Sequence, residues 1–98
     1  MNAILIAITA RPEVLAFRVN AGGAHGPGGG WVKGAPAGTA DILACVAGRY
    51  VALEVKTDAG RQSPAQRKFE AAVGRAGGVY AVVRSVAEAE AVVGRAGA

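Results

Sequence analysis

The chain has 98 residues, 52% of them hydrophobic, and its 11 basic and 7 acidic residues give a net charge of +4. This length suits a single domain with one core, and no apolar run approaches the ~18 residues of a membrane span. The start, MNAILIAITA, lacks the basic segment of a secretory signal and is predicted to be a buried amphipathic helix. One cysteine excludes an internal disulfide and predicts a reducing, cytoplasmic compartment.

The first part of the chain is predicted to contain one helix, one strand and a glycine-rich loop. A short helix over 3–9 ends before Pro12, and a strand over 14–20 follows. Residues 21–39 include eight glycines and two prolines and are predicted to form a flexible loop. Within this loop, Trp31 and Lys33 could contact a nucleic acid or anchor the loop to the core.

A hairpin and two well-marked helices make up the rest of the chain. Ala47-Gly48 are predicted to form a tight turn between the strands ADILACV and YVALEVKT. The second helix should have Ser63 as its N-cap and end at Gly77-Gly78. A further strand, VYAVVR, precedes a last helix that opens with a capping box of Ser85 and Glu88.

The resulting element order, αβββαβα, predicts the fold class. A helix between the third and fourth strands implies a right-handed crossover and hence two parallel strands. An antiparallel hairpin precedes this crossover, so the sheet should be mixed. We therefore predict one α/β domain over residues 1–98, with a mixed central sheet flanked by helices.

Charged residues at one end of the hairpin are unusual for strands that are otherwise so apolar. If residues 47–48 form a two-residue loop, Asp41 lies opposite Glu54, and Lys56 points to the same side because strand side chains alternate. Two carboxylates about 5 Å apart repel each other unless a proton, a cation or a metal intervenes. Lys56 is such a cation, and an oxygen-only pair suits Mg²⁺ or Mn²⁺.

A simpler interpretation of these charges remains open. Glu54 and Lys56 would also suit a solvated edge strand, with Asp58 and Gly60 beginning a turn. The neighbouring residues of these strands are apolar enough to bury the sheet on both faces, which favours a site at its rim; they are Ile42, Leu43, Val51, Leu53 and Val55. By the same pattern, Cys45 is predicted to be a small core residue rather than a nucleophile.

Three short motifs, GTAD, EVKT and GRQSPAQ, follow one another in one hairpin-plus-helix unit. In this combination the chain resembles the VRR-NUC family of the PD-(D/E)XK nuclease superfamily, from about Gly34 to Glu90. The resemblance implies a restriction-endonuclease-like nuclease domain over 1–98 and a Mg²⁺- or Mn²⁺-dependent DNA endonuclease. Small stand-alone members of the family are similar to Holliday-junction resolvases, which implies branched DNA as substrate and a homodimer as the assembly.

The resemblance implies a role for each residue of the predicted rim site. The metal ligands would be Asp41, Glu54 and the main-chain carbonyl of Val55. Lys56 would orient or activate the attacking water and stabilise the charge that grows on the phosphate. Many family members carry a further glutamate in the first helix, whereas this chain has no acid before Glu13. Either the family's opening residues are missing or the metal has fewer ligands, so a weakened DNA-binding module is the alternative function.

Polar residues near the second helix are further candidates. Gln66 matches the glutamine of the family's helix and so has an implied catalytic role, but at the third helical position a glutamine also closes a capping box. Arg61, Arg67 and Lys68 flank the same helix start and are predicted phosphate contacts, as is Lys33 in the glycine-rich loop. Solvated surface charge is the alternative role for at least one of them.

Overall fold

The computed structural model describes residues 1–21 and 24–98, which form three helices, a four-stranded sheet and a two-stranded ribbon. The helices are α1 (Asn2–Thr9), α2 (Pro64–Arg75) and α3 (Val86–Ala96). The strands are β1 (Val14–Arg18), β2 (Ala24–His25), β3 (Trp31–Val32), β4 (Ile42–Val46), β5 (Arg49–Val55) and β6 (Val79–Val83). The α/β class is confirmed. None of the described helices has the length and apolar character needed to span a membrane.

The four-stranded sheet has the order β1-β4-β5-β6. Strands β1 and β5 pair antiparallel with β4, whereas β6 pairs parallel with β5 after the α2 connection, so the sheet is mixed as predicted. The carboxyl ends of β5 and β6 and the amino end of β4 therefore lie at the same end of the sheet. This end of the sheet, here called the rim, carries residues 39–41, 54–58 and 84.

A two-residue turn sets the register of the β4–β5 hairpin. Residues 47–48 adopt positive φ angles of 49° and 84°, as in the type I′ turns whose twist suits a hairpin. Val46 consequently pairs with Arg49, and the register continues to Ile42 opposite Leu53. The register predicted from the turn is confirmed.

The main core lies between one face of the sheet and the helices α1 and α3. Its largest fully buried side chains come from alternate strand positions and from both helices: Ile8, Ile42, Val46, Val51, Leu53, Val83 and Val93. Helix α2 covers part of the opposite face, here called the α2 face. There Val73 packs with Ala52, and Phe69 lies edge-on to Tyr80 at 6.1 Å between ring centroids.

The α2 face is open over β1 and β4, contrary to the expectation of a sheet buried on both faces. Leu15 and Phe17 of β1 are 71% and 56% exposed. Cys45 of β4 is also exposed, so its prediction as a core residue is wrong. Among the described residues, α2 is the helix that covers this face. It packs against β6 and the adjacent part of β5, which leaves β1 and much of β4 open.

The segment 21–39 contains more regular structure than a flexible loop. Strands β2 and β3 pair antiparallel within it, and Trp31 packs edge-to-face on His25 with ring centroids 5.3 Å apart. Trp31 is 61% exposed, so it does not anchor this segment to the core. Gly22 and Gly23, which belong to the predicted loop, lie outside the described residues.

The two later helices begin at their predicted N-caps. The Ser63 hydroxyl accepts a hydrogen bond from the Gln66 amide at 3.1 Å, and the Gln66 side chain accepts one from the Ser63 amide at 2.8 Å. At α3 the Ser85 hydroxyl accepts from the Glu88 amide at 3.1 Å. The Glu88 carboxylate, however, accepts from the Arg84 amide at 2.8 Å. The second capping box is therefore only half correct, because its carboxylate binds the amide one residue before the N-cap.

Gly38, in the GTAD motif, lies where the rim meets α2. Its φ is +88°, and a Cβ atom there would lie 2.4 Å from the main-chain oxygen of Ala65. We expect Gly38→Ala to lower the free energy of unfolding by about 2–4 kcal/mol, measured by urea denaturation. The control is Gly48→Ala, which has φ +84° but nothing within 4 Å, and it should lose about 1 kcal/mol. Equal losses would contradict a steric role for Gly38.

Candidate functional site

Asp41, Glu54 and Lys56 come together at the rim, on the α2 face. Asp41 directly precedes β4, and the hairpin register places it opposite Glu54 near the end of β5. The Asp41 Oδ2 atom accepts a hydrogen bond from the main-chain amide of Val55 at 2.8 Å. The Lys56 Nζ atom lies 3.8 Å from Glu54 Oε2. The structure thus contains the cluster of two acids and an amine expected from the register.

The kind of strand pair that Asp41 and Glu54 form explains why their carboxyl groups meet. In an antiparallel pair, hydrogen-bonded positions alternate with positions that are not hydrogen-bonded, and the latter bring side chains closer together. Counting from the turn at residues 47–48, the pair at 41 and 54 is of the second kind. Charge repulsion between the two carboxyl groups follows from this proximity.

Glu54 is buried in a way that requires a partner. Glu54 is 2% exposed, and its Oε1 atom has no hydrogen-bond partner among the described residues. Burial and, after it, the nearby Asp41 carboxyl group raise the pKa of Glu54 from 4.5 to about 7. Lys56 opposes this shift without cancelling it. Because an unpartnered buried oxygen costs free energy, a proton or a cation is expected to complete this site.

The donor atoms fit a hard divalent cation. Two carboxylates and a main-chain carbonyl are oxygen ligands of the type that Mg²⁺ and Mn²⁺ prefer. The Val55 amide binds Asp41, and the amide and carbonyl of one strand residue point to the same neighbouring strand. The Val55 carbonyl therefore lies on the Asp41 side of β5. The Glu54 Oε1 atom, which has no hydrogen-bond partner among the described residues, is a further oxygen donor with free lone pairs.

The part of the chain that the structure describes supplies only a small ligand set. Within residues 1–21 and 24–98, no three or more His, Cys, Asp or Glu side chains are grouped so that they could hold a metal ion. Helix α1 contains no acid, and Glu13 pairs with Arg11 at 3.7 Å. A cation at the rim would take its remaining ligands from water and from a substrate phosphate, as Mg²⁺ commonly does.

The rim residues are those to which the family resemblance gives metal-binding and catalytic roles. Comparisons with protein-family models, with curated proteins and with solved structures return no match to this chain. The resemblance to the VRR-NUC family stays a prediction. The functional proposal therefore depends on the geometry of the rim.

Gln66 has a structural role at the start of α2. Its Oε1 atom accepts the Ser63 amide hydrogen, so the capping-box interpretation is confirmed. None of the hydrogen bonds among the described residues connects Gln66 to Asp41 or Glu54. Its catalytic role stays a prediction.

Only some of the predicted basic residues lie close together. Arg61 and Arg67 line a cleft of about 340 Å³ between α2 and β6, whereas Lys33 and Lys68 are exposed and do not line it. Arg84 lines the same cleft but was not among the predicted site residues. Its sequence signal is a basic residue directly after the last strand. That signal becomes meaningful only when the parallel β5–β6 register places the ends of both strands at one rim.

Proposed function

We propose that this chain is a metal-dependent DNA endonuclease that hydrolyses phosphodiester bonds and is selective for branched DNA such as Holliday junctions. The observation that carries the proposal is the buried Glu54 carboxyl group beside that of the half-buried Asp41, with the Lys56 ammonium 3.8 Å from Glu54 Oε2. Two carboxylates placed together are unfavourable unless they bind a cation or share a proton. The VRR-NUC resemblance supports DNA as the substrate of such a site.

Each rim residue would contribute a separate function to hydrolysis. Asp41 and Glu54 would hold Mg²⁺ or Mn²⁺, and the Val55 amide keeps the Asp41 carboxylate in place. A bound ion would polarise the phosphoryl oxygens and neutralise part of their charge. The Lys56 ammonium would orient the attacking water and stabilise the negative charge that grows on the phosphate.

The proposal includes a homodimer that acts in the cytoplasm. A domain of 98 residues covers a short stretch of duplex, and a two-fold dimer would present two rims to a branched substrate. The exposed apolar side chains of Leu15 and Phe17 support an assembly larger than one chain. The free Cys45 thiol suits a reducing compartment.

Cleavage of a supercoiled plasmid and of a labelled four-way junction tests the proposed activity. Nicking is expected with Mg²⁺ or Mn²⁺ and not with EDTA, and the junction should be cut faster than a linear duplex of the same sequence. Glu54→Gln, purified in parallel, should reduce cutting to the background rate because the amide removes a charged metal ligand while keeping the side-chain shape. Cutting that persists in Glu54→Gln would show that other residues, or another nuclease, are responsible.

The second candidate function is a DNA-binding module of the same fold with weakened catalysis. The absence of an acid from α1, and of a third metal-binding side chain among the described residues, favours this candidate. It predicts junction binding that weakens steeply as salt rises, with no cleavage in any divalent metal. Metal-dependent cutting that is lost in Glu54→Gln would overturn it.

A further inference from the structure

A cleft rich in arginine opens beside the carboxylate pair. Its volume is about 340 Å³, and it is lined by Gly60, Arg61, Gln62, Arg67, Val82 and Arg84. An adjoining cavity of about 260 Å³ is lined by Asp58, Ala59, Gly60, Arg61 and Arg84. Arg61 and Arg84 belong to both linings, so the two cavities form one basic depression at the rim.

Two of the three arginines are held by main-chain carbonyls and keep donors for a ligand. The Arg84 guanidinium donates through Nη1 to the Thr57 oxygen, and that of Arg67 donates through Nη1 to the Gln62 oxygen at 3.1 Å. A guanidinium has five N–H donors, so each retains several after this contact. None of the ion pairs among the described residues includes an arginine of the cleft.

The cleft adjoins the carboxylate pair through two of its lining residues. Val82 pairs with Glu54 in the parallel β5–β6 register, which places the two residues on neighbouring strands about 5 Å apart. Gly60 packs on Lys56, since a Cβ atom at Gly60 would lie 3.2 Å from the Lys56 Cβ and Cδ atoms. A strand of DNA at the carboxylates would therefore pass next to the arginines.

We infer that Arg61, Arg67 and Arg84 form a phosphate-binding site, which holds a phosphate group of DNA adjacent to the one at Asp41 and Glu54. The identity of the ligand as DNA rests on the proposed function. Forked guanidinium donors match the oxygens of phosphate, and anchored side chains lose less conformational entropy when they bind it. Three arginines against the single carboxylate of Asp58 leave the lining of the depression with a net positive charge.

The opposite end of the sheet provides a matched control. A cavity of about 250 Å³ there is lined by two arginines, Arg49 and Arg95, and by mainly apolar residues. Arg49 begins β5, so it lies about 17 Å along the strand from Glu54, at 3.3–3.4 Å for each of five residues. Replacing these two arginines changes the net charge equally but leaves the rim intact.

The test is the affinity for a labelled four-way junction, measured by fluorescence anisotropy in EDTA so that no cleavage occurs. The double variants Arg61→Gln/Arg84→Gln and Arg49→Gln/Arg95→Gln both lower the net charge from +4 to +2. The first should weaken binding by about 100-fold, on the order of tenfold for each arginine, and reduce the slope of log K against log salt by about 1.8. The second should stay within about threefold of the wild type. Equal weakening in both would overturn the inference.

Two further comparisons make the result decisive. Because Arg84 also holds the Thr57 carbonyl, the single variant Arg61→Gln, which keeps that contact, should still lose about tenfold. Wild-type affinity for the junction in Arg61→Gln would contradict the phosphate-binding site, even if the double variant Arg61→Gln/Arg84→Gln fails to fold. The affinity of Arg61→Gln for oligonucleotides with and without a 5′ phosphate identifies the phosphate that is bound. A loss of affinity only for the phosphorylated oligonucleotide indicates a terminal phosphate. An equal loss for both oligonucleotides indicates a phosphate of the internal backbone.

The outcomes separate this inference from the nuclease proposal. If the wild type cleaves DNA and the two double variants bind alike, the phosphate site is wrong and the nuclease proposal stands. If binding depends on Arg61 and Arg84 but no metal supports cleavage, the nuclease proposal is wrong and the phosphate site stands. A wild type that binds no DNA would overturn both.

Discussion

Lys56→Met is expected to slow metal-dependent DNA cleavage by about 10²–10³-fold in single-turnover assays. The Lys56 ammonium lies 3.8 Å from Glu54 Oε2, and its side chain is only 20% exposed. It is therefore a fixed, partly desolvated positive charge at the place where negative charge would grow on a phosphate. Methionine keeps an unbranched apolar stem and lacks the terminal ammonium group, so the packing on Gly60 should survive the substitution.

The pH dependence of cleavage distinguishes a role of Lys56 in the site from a structural role. Lys56 lowers the pKa of Glu54, so its removal should raise that pKa further and leave more of the carboxyl group protonated near neutral pH. The rise of the cleavage rate with pH should consequently move to higher pH in Lys56→Met, even at saturating Mn²⁺.

The control for this variant is Arg75→Met, which removes one exposed positive charge from the last turn of α2. It should retain the wild-type rate within about threefold, because an exposed charge contributes little. A Lys56→Met protein that cleaves as fast as Arg75→Met would show that Lys56 has no part in hydrolysis.

Without divalent metal, the free energy of unfolding should fall by roughly 3 kcal/mol as pH rises from about 4.5 to about 7. The pKa of Glu54 is about 7 in the folded protein and 4.5 ordinarily, so the folded state binds more protons across this window. Stability therefore decreases as pH rises through the window, and it changes little below 4.5, where both states are protonated. Urea denaturation in EDTA at a series of pH values measures this slope.

Variants and metal addition identify Glu54 as the source of this slope. Glu54→Gln should abolish the dependence of stability on pH between about 4.5 and about 7. Glu90→Gln, which removes a carboxyl group from α3 instead, should preserve it. A saturating concentration of Mg²⁺ should stabilise the wild type more at pH 8 than at pH 6, because a cation binds the ionised carboxylates. A flat wild-type profile would contradict a raised pKa of the buried Glu54 beside Asp41, and a slope that survives in Glu54→Gln would locate the proton on another group.

The hairpin shows how much of the candidate site the sequence could predict. Ala47-Gly48 define a two-residue turn, and a turn of this length permits one register, so the meeting of Asp41 and Glu54 could be counted directly from the chain. The N-caps at Ser63 and Ser85 were equally accessible. Both cases depend on interactions between residues a few positions apart, or on a strand pairing set by one short turn.

Residues that depend on how separate elements pack could not be predicted in this way. Cys45 and Leu15 belong to apolar strands, yet both are exposed because α2 covers only the β6 side of the α2 face of the sheet. Arg84 joins Arg61 in one cleft only because β6 lies parallel to β5.

The sequence by itself determined the helices, the long strands, the hairpin register and therefore the pairing of Asp41 with Glu54. Only the tertiary structure decided which strand faces are covered, which arginines meet at the rim, and how deeply Glu54 is buried. Burial is the largest cause of the raised pKa of Glu54, and it arises from packing between distant segments. Turns and caps act over a few residues, whereas burial and charge clusters depend on contacts that no local pattern encodes.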